Sequence, residues 1–243
     1  MNSNHPDMSV VLPVYNEESC ISAVLAELRD ALRSAAVSYE IILVDDGSDD
    51  RTAELLHAFA AENPEAVVLR LSANSGQSAA FWAGIQRAAG RVISLMDADG
   101  QNDPADIEKC AAPVLAGDAD ICCGYRQNRK DTLSKRIASK LANRFRRKML
   151  GDDIIDTGCS MKAFRAELLK VLQYWDGMHR FLPVLASLQG ASIVQIPVNH
   201  RPRLAGKSKY TNFSRLRRSV RDLRGVKWLK SRTRKFQVQT KES

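Results

Sequence analysis

No apolar run in this chain approaches the ~20 residues that a membrane-spanning helix requires. The opening stretch MNSNHPDM has neither a basic n-region nor an apolar h-region, so no secretory signal is expected. The five cysteines (Cys20, Cys110, Cys122, Cys123 and Cys159) are odd in number, show no CxxC spacing and include an adjacent pair. They support neither a disulfide framework nor a zinc site, and a reducing compartment is the expected home. Internal repeats, low-complexity tracts and a clear interdomain linker are also missing. A chain of 243 residues with 44% hydrophobic content can bury one sizeable core, so one main domain is expected. Any membrane contact is expected to be peripheral.

The net charge of +8 is unevenly placed. From Arg201 to Ser243 there are 15 Lys/Arg against Asp222 and Glu242, a net of +13, whereas the first 200 residues carry 21 basic and 26 acidic side chains, a net of −5. A basic tail on a mildly acidic body points to an anionic surface, either phospholipid or nucleic acid.

Short apolar runs alternate with segments of helical period. Strands are expected at Ser9 to Val14, Glu40 to Val44, Val67 to Leu71, Val92 to Met96 and Ile121 to Gly124, with one more at Ile193 to Val198. Between them Ile21, Val24, Leu25, Leu28 and Leu32 share one helical face, and further helices are expected over Arg51 to Ala60, up to Gly90, and after Asp103 and Pro104, which suit N-cap and N1. Asn16 is the expected N-cap of the first helix. The region from Ser134 onward reads as more helical, and a basic helix is expected from about Asn212. Alternation of this kind implies right-handed βαβ units and a mainly parallel, Rossmann-like α/β sheet flanked by helices, with ligands beyond the carboxyl ends of the strands. The polar clusters PVYNE, DDGS, DADGQ and GYR all fall at those ends.

Asp97-Ala98-Asp99 is the sharpest of them. In an extended segment residues i and i+2 point the same way, so the two carboxylates converge, and hard cations such as Mg²⁺ or Mn²⁺ take oxygen ligands of this sort together with substrate phosphates. Gln101 offers an amide oxygen two residues on. The competing reading is a turn followed by a helix cap, since Asp is common in turns. Asp45-Asp46 is a second acidic pair directly after an apolar strand. Like charges crowd unfavourably unless cations or hydrogen-bond donors intervene, and two such pairs at one sheet edge favour a metal and diphosphate site over two solvated turns.

VLPVYNEE, ILVDDGSDDRT, MDADGQNDP, GYR and the run Arg203-Leu204-Ala205-Gly206-Lys207-Ser208-Lys209 together resemble glycosyltransferase family 2, with the motifs in order over about Ser9 to Tyr210. Within it the chain is similar to the dolichyl- or undecaprenyl-phosphate sugar synthases. The resemblance implies a GT-A type fold in a catalytic domain over 8–211, followed by a basic amphipathic tail over 212–243. It implies that Pro13, Tyr15, Glu17, Val44, Asp45, Asp46, Asp97, Ala98 and Asp99 border the nucleotide sugar, that Asp97, Asp99 and Gln101 hold Mg²⁺ or Mn²⁺, and that Asp97, Asp99, Arg126, Arg203 and Lys209 serve catalysis. The segment Asp156-Thr157-Gly158-Cys159-Ser160 and His200 match positions on the acceptor side. Gly100 departs from the bulkier apolar residue that many relatives carry there.

The implied reaction moves a sugar from a UDP- or GDP-sugar to a polyprenyl phosphate, with inversion at the anomeric carbon. A phosphate monoester has its second pKa near ~6 and is a nucleophile without a general base, whereas a hydroxyl acceptor would need one. Phe213, Leu216, Val220 and Leu223 form a narrow stripe on the expected basic helix, the pattern of a membrane-surface element, though a helix packed on the body fits the same pattern. Expected partners are therefore the nucleotide sugar, the lipid phosphate, an anionic membrane surface on the cytoplasmic face and a membrane-protein partner, with no nucleic acid. The alternative is a family 2 enzyme that uses a soluble sugar or polysaccharide acceptor. A sugar nucleotidyltransferase would need a glycine-rich loop after the first strand, and PVYNEES contains no glycine.

Overall fold

In the computed structural model the described residues are 5–127, 133–202 and 212–233, with the side chains of 133–140 and 212–218 left aside. Their strands build one seven-stranded sheet in the order β3-β2-β1-β4-β6-β5-β7. The strands are β1 (Met8–Val14), β2 (Tyr39–Asp45), β3 (Ala66–Arg70), β4 (Val92–Leu95), β5 (Ile121–Arg126), β6 (Lys162–Arg165) and β7 (Ile193–Val198). The helices are α1 (Ile21–Arg33), α2 (Thr52–Glu62), α3 (Gln77–Arg87), α4 (Asp106–Leu115), α5 (Leu133–Leu150), α6 (Ala166–Lys170), α7 (Leu182–Ser187) and α8 (Asn212–Arg232), with a single 3-10 turn at Met178–Arg180.

β1 is the central parallel strand, paired along its length with β2 and over its first half with β4. Met8, Val10, Val11, Leu12 and Val14 are all buried, as a parallel strand covered on both faces requires. Its side chains divide between two cores. Val10 and Leu12 pack with α1, α2 and α4 residues such as Leu25, Leu56 and Ile107. Val11 packs on the other face with Phe81 and Ile85 of α3, in a cluster that extends through Phe164, Met178 and Leu182 to Leu223 and Val226 of α8. Gly84 of α3 is needed for this approach, because a Cβ there would lie 2.3 Å from a Val11 methyl.

The expected strands and helices are present within two residues at each end, except that α3 stops at Arg87, three residues before Gly90, and that α1 starts later than expected. Three details differ. α1 begins at Ile21, not beside Asn16. Asn16 instead takes a left-handed φ of 51°, which Asn tolerates better than most residues, and its side-chain amide donates to Asp49 at 2.6 Å. Asp103 caps the turn ahead of α4, its carboxylate accepting the Ala105 N–H at 3.2 Å, while the helix proper starts at Asp106. β6 is the third difference: it runs antiparallel between β4 and β5 and is too short, as KAFR, to show any periodicity.

The expected basic helix is α8. Its second half packs on the body: Leu223 and Val226 are buried, and Asp222 turns inward to pair with Arg180 at 3.0 Å. Phe213 and Leu216 of the expected stripe are among the side chains left aside. Among the described residues no helix is long and apolar enough to cross a membrane. Because Leu223 fills a core position, Leu223→Ala is expected to cost about 2–4 kcal/mol of unfolding free energy, read from urea midpoints. An unchanged midpoint would mean that α8 adds nothing to the body's stability.

Candidate active site

The carboxyl edge of β1, β2 and β4 carries Tyr15, Asp45 with Asp46, and Asp97 with Asp99. The antiparallel β6 starts at this edge, because Lys162 lies level with Leu95 of β4 and Cys123 of β5. Asp97 therefore meets a buried lysine from a segment far along the chain. Burial pushes the Asp97 carboxyl up to about 6, the charge of Asp99 adds to the rise, and the Ser160 hydroxyl, Lys162 and Arg126 oppose it. These effects place two carboxylates, one hydroxyl and two cations within electrostatic reach of one another.

The first helical residue of α3 fixes Asp97 directly: the Gln77 amide donates to its Oδ1 at 2.7 Å. Asp99 accepts the backbone N–H of Gln101 at 3.1 Å. Gly100 between them has a φ of 75°, in the left-handed region where glycine is unstrained, so this residue suits the turn. The loop is held from both sides. The Cys20 thiol, 3.3 Å from the Glu17 carboxylate, lies 3.8 Å from the Ala98 carbonyl, and the Gln101 carbonyl accepts the N–H of Arg201, whose guanidinium spans Glu27 and Asp103. Asn102 forms a bridge with His200 and accepts the Ser160 hydroxyl at 2.9 Å.

Arg126 closes β5 and forms a bidentate pair with Asp156, at 2.7 and 2.9 Å. The pair is largely buried, unlike the exposed surface bridge that is worth little. Lys162 donates to the carbonyls of Thr157 and Cys159, so Asp156 to Lys162 is one loop folded around the two cations.

On the nucleotide side the placement is more divided. Pro13, Tyr15 and Glu17 are partly exposed around the end of β1, where a ligand can reach them. Val44 is different: its side chain is fully buried and lies near α3 beside Gly84, so only its backbone faces the edge. Asp45 is also fully buried, accepting the Ser48 N–H at 2.9 Å and pairing with Arg70 at 3.2 Å. Asp46 holds the loop after β3, through the N–H groups of Ser75 at 2.7 Å and Gly76 at 2.9 Å and the amide of Asn74 at 3.2 Å. Its carboxyl is raised by burial against the pull of those N–H groups. Both oxygens of Asp46 are thus engaged in shaping the rim, and the acidic pair at 45 and 46 builds the loop framework. Arg203 and Lys209 lie outside the described residues.

Sequence reasoning missed Gln77, Asn102 and Lys162. Gln77 opens the helix expected to run up to Gly90 and carries no local sign of its role, and Lys162 lies in the strand that has no sequence period. Their proximity to Asp97 exists only in three dimensions.

Two neighbouring carboxylates, with Asp97 raised by burial and by the charge of Asp99, form the oxygen-only donor set that a hard divalent cation satisfies once a diphosphate supplies further oxygens. Among the described residues no group of three or more His, Cys, Asp or Glu gathers to hold a metal unaided. The site therefore fits a cation shared with a phosphate ligand and does not fit a closed protein cage.

Residues 9–172, well over half of the chain, match glycosyl transferase family 2. The chain belongs to that family and is a glycosyltransferase, and its mostly parallel sheet flanked by helices is the GT-A arrangement. Among solved structures it is similar to glucosyl-3-phosphoglycerate synthase from Mycobacterium tuberculosis in complex with phosphoglyceric acid, with a TM-score of 0.70 at 19% identity over 93% of this chain and 80% of that one. The same enzyme in complex with Mn²⁺, uridine diphosphate and glucosyl-3-phosphoglycerate matches with a TM-score of 0.69 at 20% identity, again over 93% and 80%. A mycobacterial protein matches with a TM-score of 0.64 at 23% identity, over 82% of this chain and 68% of that one.

The position of Asp97 has a consequence for pH. A carboxyl whose pKa rises on folding adds stability that is complete below its unfolded value of 3.8 and is lost as pH rises through about 6. The metal-free protein is expected to lose stability between about pH 4 and about pH 6, and Asp97→Asn to reduce that slope, leaving the smaller part that the raised Asp46 carboxyl contributes. Urea midpoints across this range test it. A slope undiminished by the substitution would assign the titration to another group.

Proposed function

We propose that this chain transfers a sugar from a nucleoside diphosphate donor to a polyprenyl phosphate, with Mg²⁺ or Mn²⁺ held between Asp97, Asp99 and the donor's diphosphate. The observation that carries the donor half is the Asp97–Asp99 pair at the carboxyl edge, braced by Gln77 and faced by Arg126 and Lys162. Support for the metal comes also from the mycobacterial synthase, crystallised with Mn²⁺ or Mg²⁺ together with uridine diphosphate. The acceptor half rests on the Arg203 to Lys209 run.

When bound, the cation offsets negative charge as it develops on the leaving diphosphate. Asp97 and Asp99 would hold that cation against the diphosphate, and Gln77 orients the Asp97 carboxylate through its Oδ1. Tyr15 and Glu17 border the nucleoside. A phosphate acceptor brings its own charged oxygen, which attacks the anomeric carbon as the bond to the diphosphate oxygen breaks, so no side chain has to remove a proton. Arg126 and Lys162 are the described cations that act on Asp97, and with Arg203 and Lys209 they would form the clamp for the acceptor and the leaving charge.

One observation favours a second reading. The mycobacterial synthase has been crystallised with Mn²⁺, uridine-diphosphate-glucose and phosphoglyceric acid, a soluble acceptor. A soluble phosphate-bearing acceptor would use the same cations and equally need no base. The lipid reading requires work at the cytoplasmic face of a membrane, whereas the soluble reading does not require it.

Incubation with a panel of sugar nucleotides, Mg²⁺ or Mn²⁺, and either a short polyprenyl phosphate, the corresponding polyprenol or phosphoglycerate separates these readings by product mass. The lipid phosphate is expected to be glycosylated and the free alcohol not. Product from phosphoglycerate alone would establish the soluble reading, and equal use of alcohol and phosphate would show that a base is present. Asp99→Asn is expected to abolish turnover in a folded protein, since a neutral amide is a weak ligand for a hard cation. Arg203→Ala and Lys209→Ala are expected to lower turnover more than nucleotide affinity. The opposite split would move both residues to the donor side.

A further inference from the structure

We propose that α5 and α8 together form a docking face for an anionic phospholipid surface, with Leu141, Phe145, Trp228 and Leu229 entering the headgroup layer. The inference does not rest on the acceptor, because a chain that glycosylates a soluble phosphate would carry the same face.

The two helices pack against each other, and Lys230 of α8 donates to the Leu150 carbonyl at the end of α5. α5 contains seven Lys/Arg and no acidic residue, and α8 contains eight Lys/Arg and only Asp222. Asp222 does not oppose them, since it is turned inward against Arg180. The inner side of each helix is identified by burial: Arg146 and Leu150 on α5, Leu223 and Val226 on α8. The outer side of α5 shows Leu141, Arg144, Phe145 and Lys148, at i, i+3, i+4 and i+7, and that of α8 shows Arg221, Arg224 and Trp228, with Leu229 beside it.

Apolar side chains among these cations decide what kind of partner fits. Four of the seven exposed large hydrophobic side chains among the described residues belong to this helix pair, with Leu141 at 69%, Trp228 at 62% and Phe145 at 50% exposure. A duplex nucleic acid would use the cations and leave Leu141 and Phe145 in water. A bilayer uses both: acidic headgroups attract Lys and Arg, apolar side chains enter the acyl boundary, and Trp settles at headgroup depth. α5 brings an outward apolar stripe of its own, so the face is two helices wide and does not depend on the basic tail alone.

The test uses the full chain without nucleotide or polyprenyl phosphate. It is sedimented with vesicles of equimolar phosphatidylglycerol and phosphatidylcholine, and with phosphatidylcholine alone. Binding to the anionic vesicles is expected, falling with salt, and none to the neutral ones. Each cation near such a surface contributes roughly fivefold in partition, so Arg144→Glu with Lys148→Glu is expected to lower binding more than about tenfold. Leu141→Ala with Phe145→Ala is expected to lower it severalfold. Brominated acyl chains are expected to quench Trp228 fluorescence, identified by its loss in Trp228→Phe. Thermal melts of each variant establish that it is folded. The proposal is overturned if folded α5 variants sediment like the parent, if Trp228 escapes quenching, or if single-stranded DNA or an acidic protein competes the chain off the vesicles at equal charge concentration.

Discussion

Two carboxylates held close together and partly shielded from water raise each other's energy, and the carboxyl edge of this sheet is organised around one such pair. The Gln77 amide, the Ser160 hydroxyl, Lys162 and Arg126 all act on Asp97, and none of them removes its raised proton affinity. A site with some unrelieved repulsion binds a divalent cation more readily than one already neutralised, because the cation relieves the repulsion that folding left in place. The same repulsion explains why the surrounding loops are so heavily tied. Without the Cys20, Gln101 and Asn102 contacts, the loop could relax by letting the carboxylates separate.

The sheet supplies the placement and β6 supplies the counter-charge. In a purely parallel α/β sheet every strand brings its carboxyl end to the ligand side. Here one strand runs the other way and contributes its first residue, Lys162, to the same edge. The loop leading into it carries Asp156, which pairs Arg126, so one connection orients two cations by different means: one through a carboxylate, one through backbone carbonyls.

The order of strands and helices was legible in the sequence because buried parallel strands are continuous apolar runs and α1 has an unbroken helical stripe. Asp97 and Asp99 stood out in the sequence as a pair spaced by two after an apolar run, and in the fold they lie in the bend that follows β4. Asp45 and Val44 were legible as positions but not as roles, since the chain does not reveal that Arg70 and Ser48 enclose the Asp45 carboxylate or that Gly84 lets α3 close over Val44. Gln77 and Lys162 carried no local signal at all. A glutamine at the start of a helix and a lysine opening a four-residue strand are ordinary residues until the fold brings them to Asp97.

The 65 positions that separate Lys162 from Asp97 also bear on how the protein is made. During synthesis the acidic loop leaves the ribosome seconds before the strand that carries its lysine, at elongation rates of about 5–20 residues per second. In that interval β1 to β4 can already pair, yet β6 is not available to lie against β4. The half-made sheet then presents an open strand edge next to an uncompensated acidic loop. Negative charge beside an exposed edge discourages pairing with other chains, so the same acidic loop that faces Lys162 in the finished fold would also guard the open edge until β6 arrives.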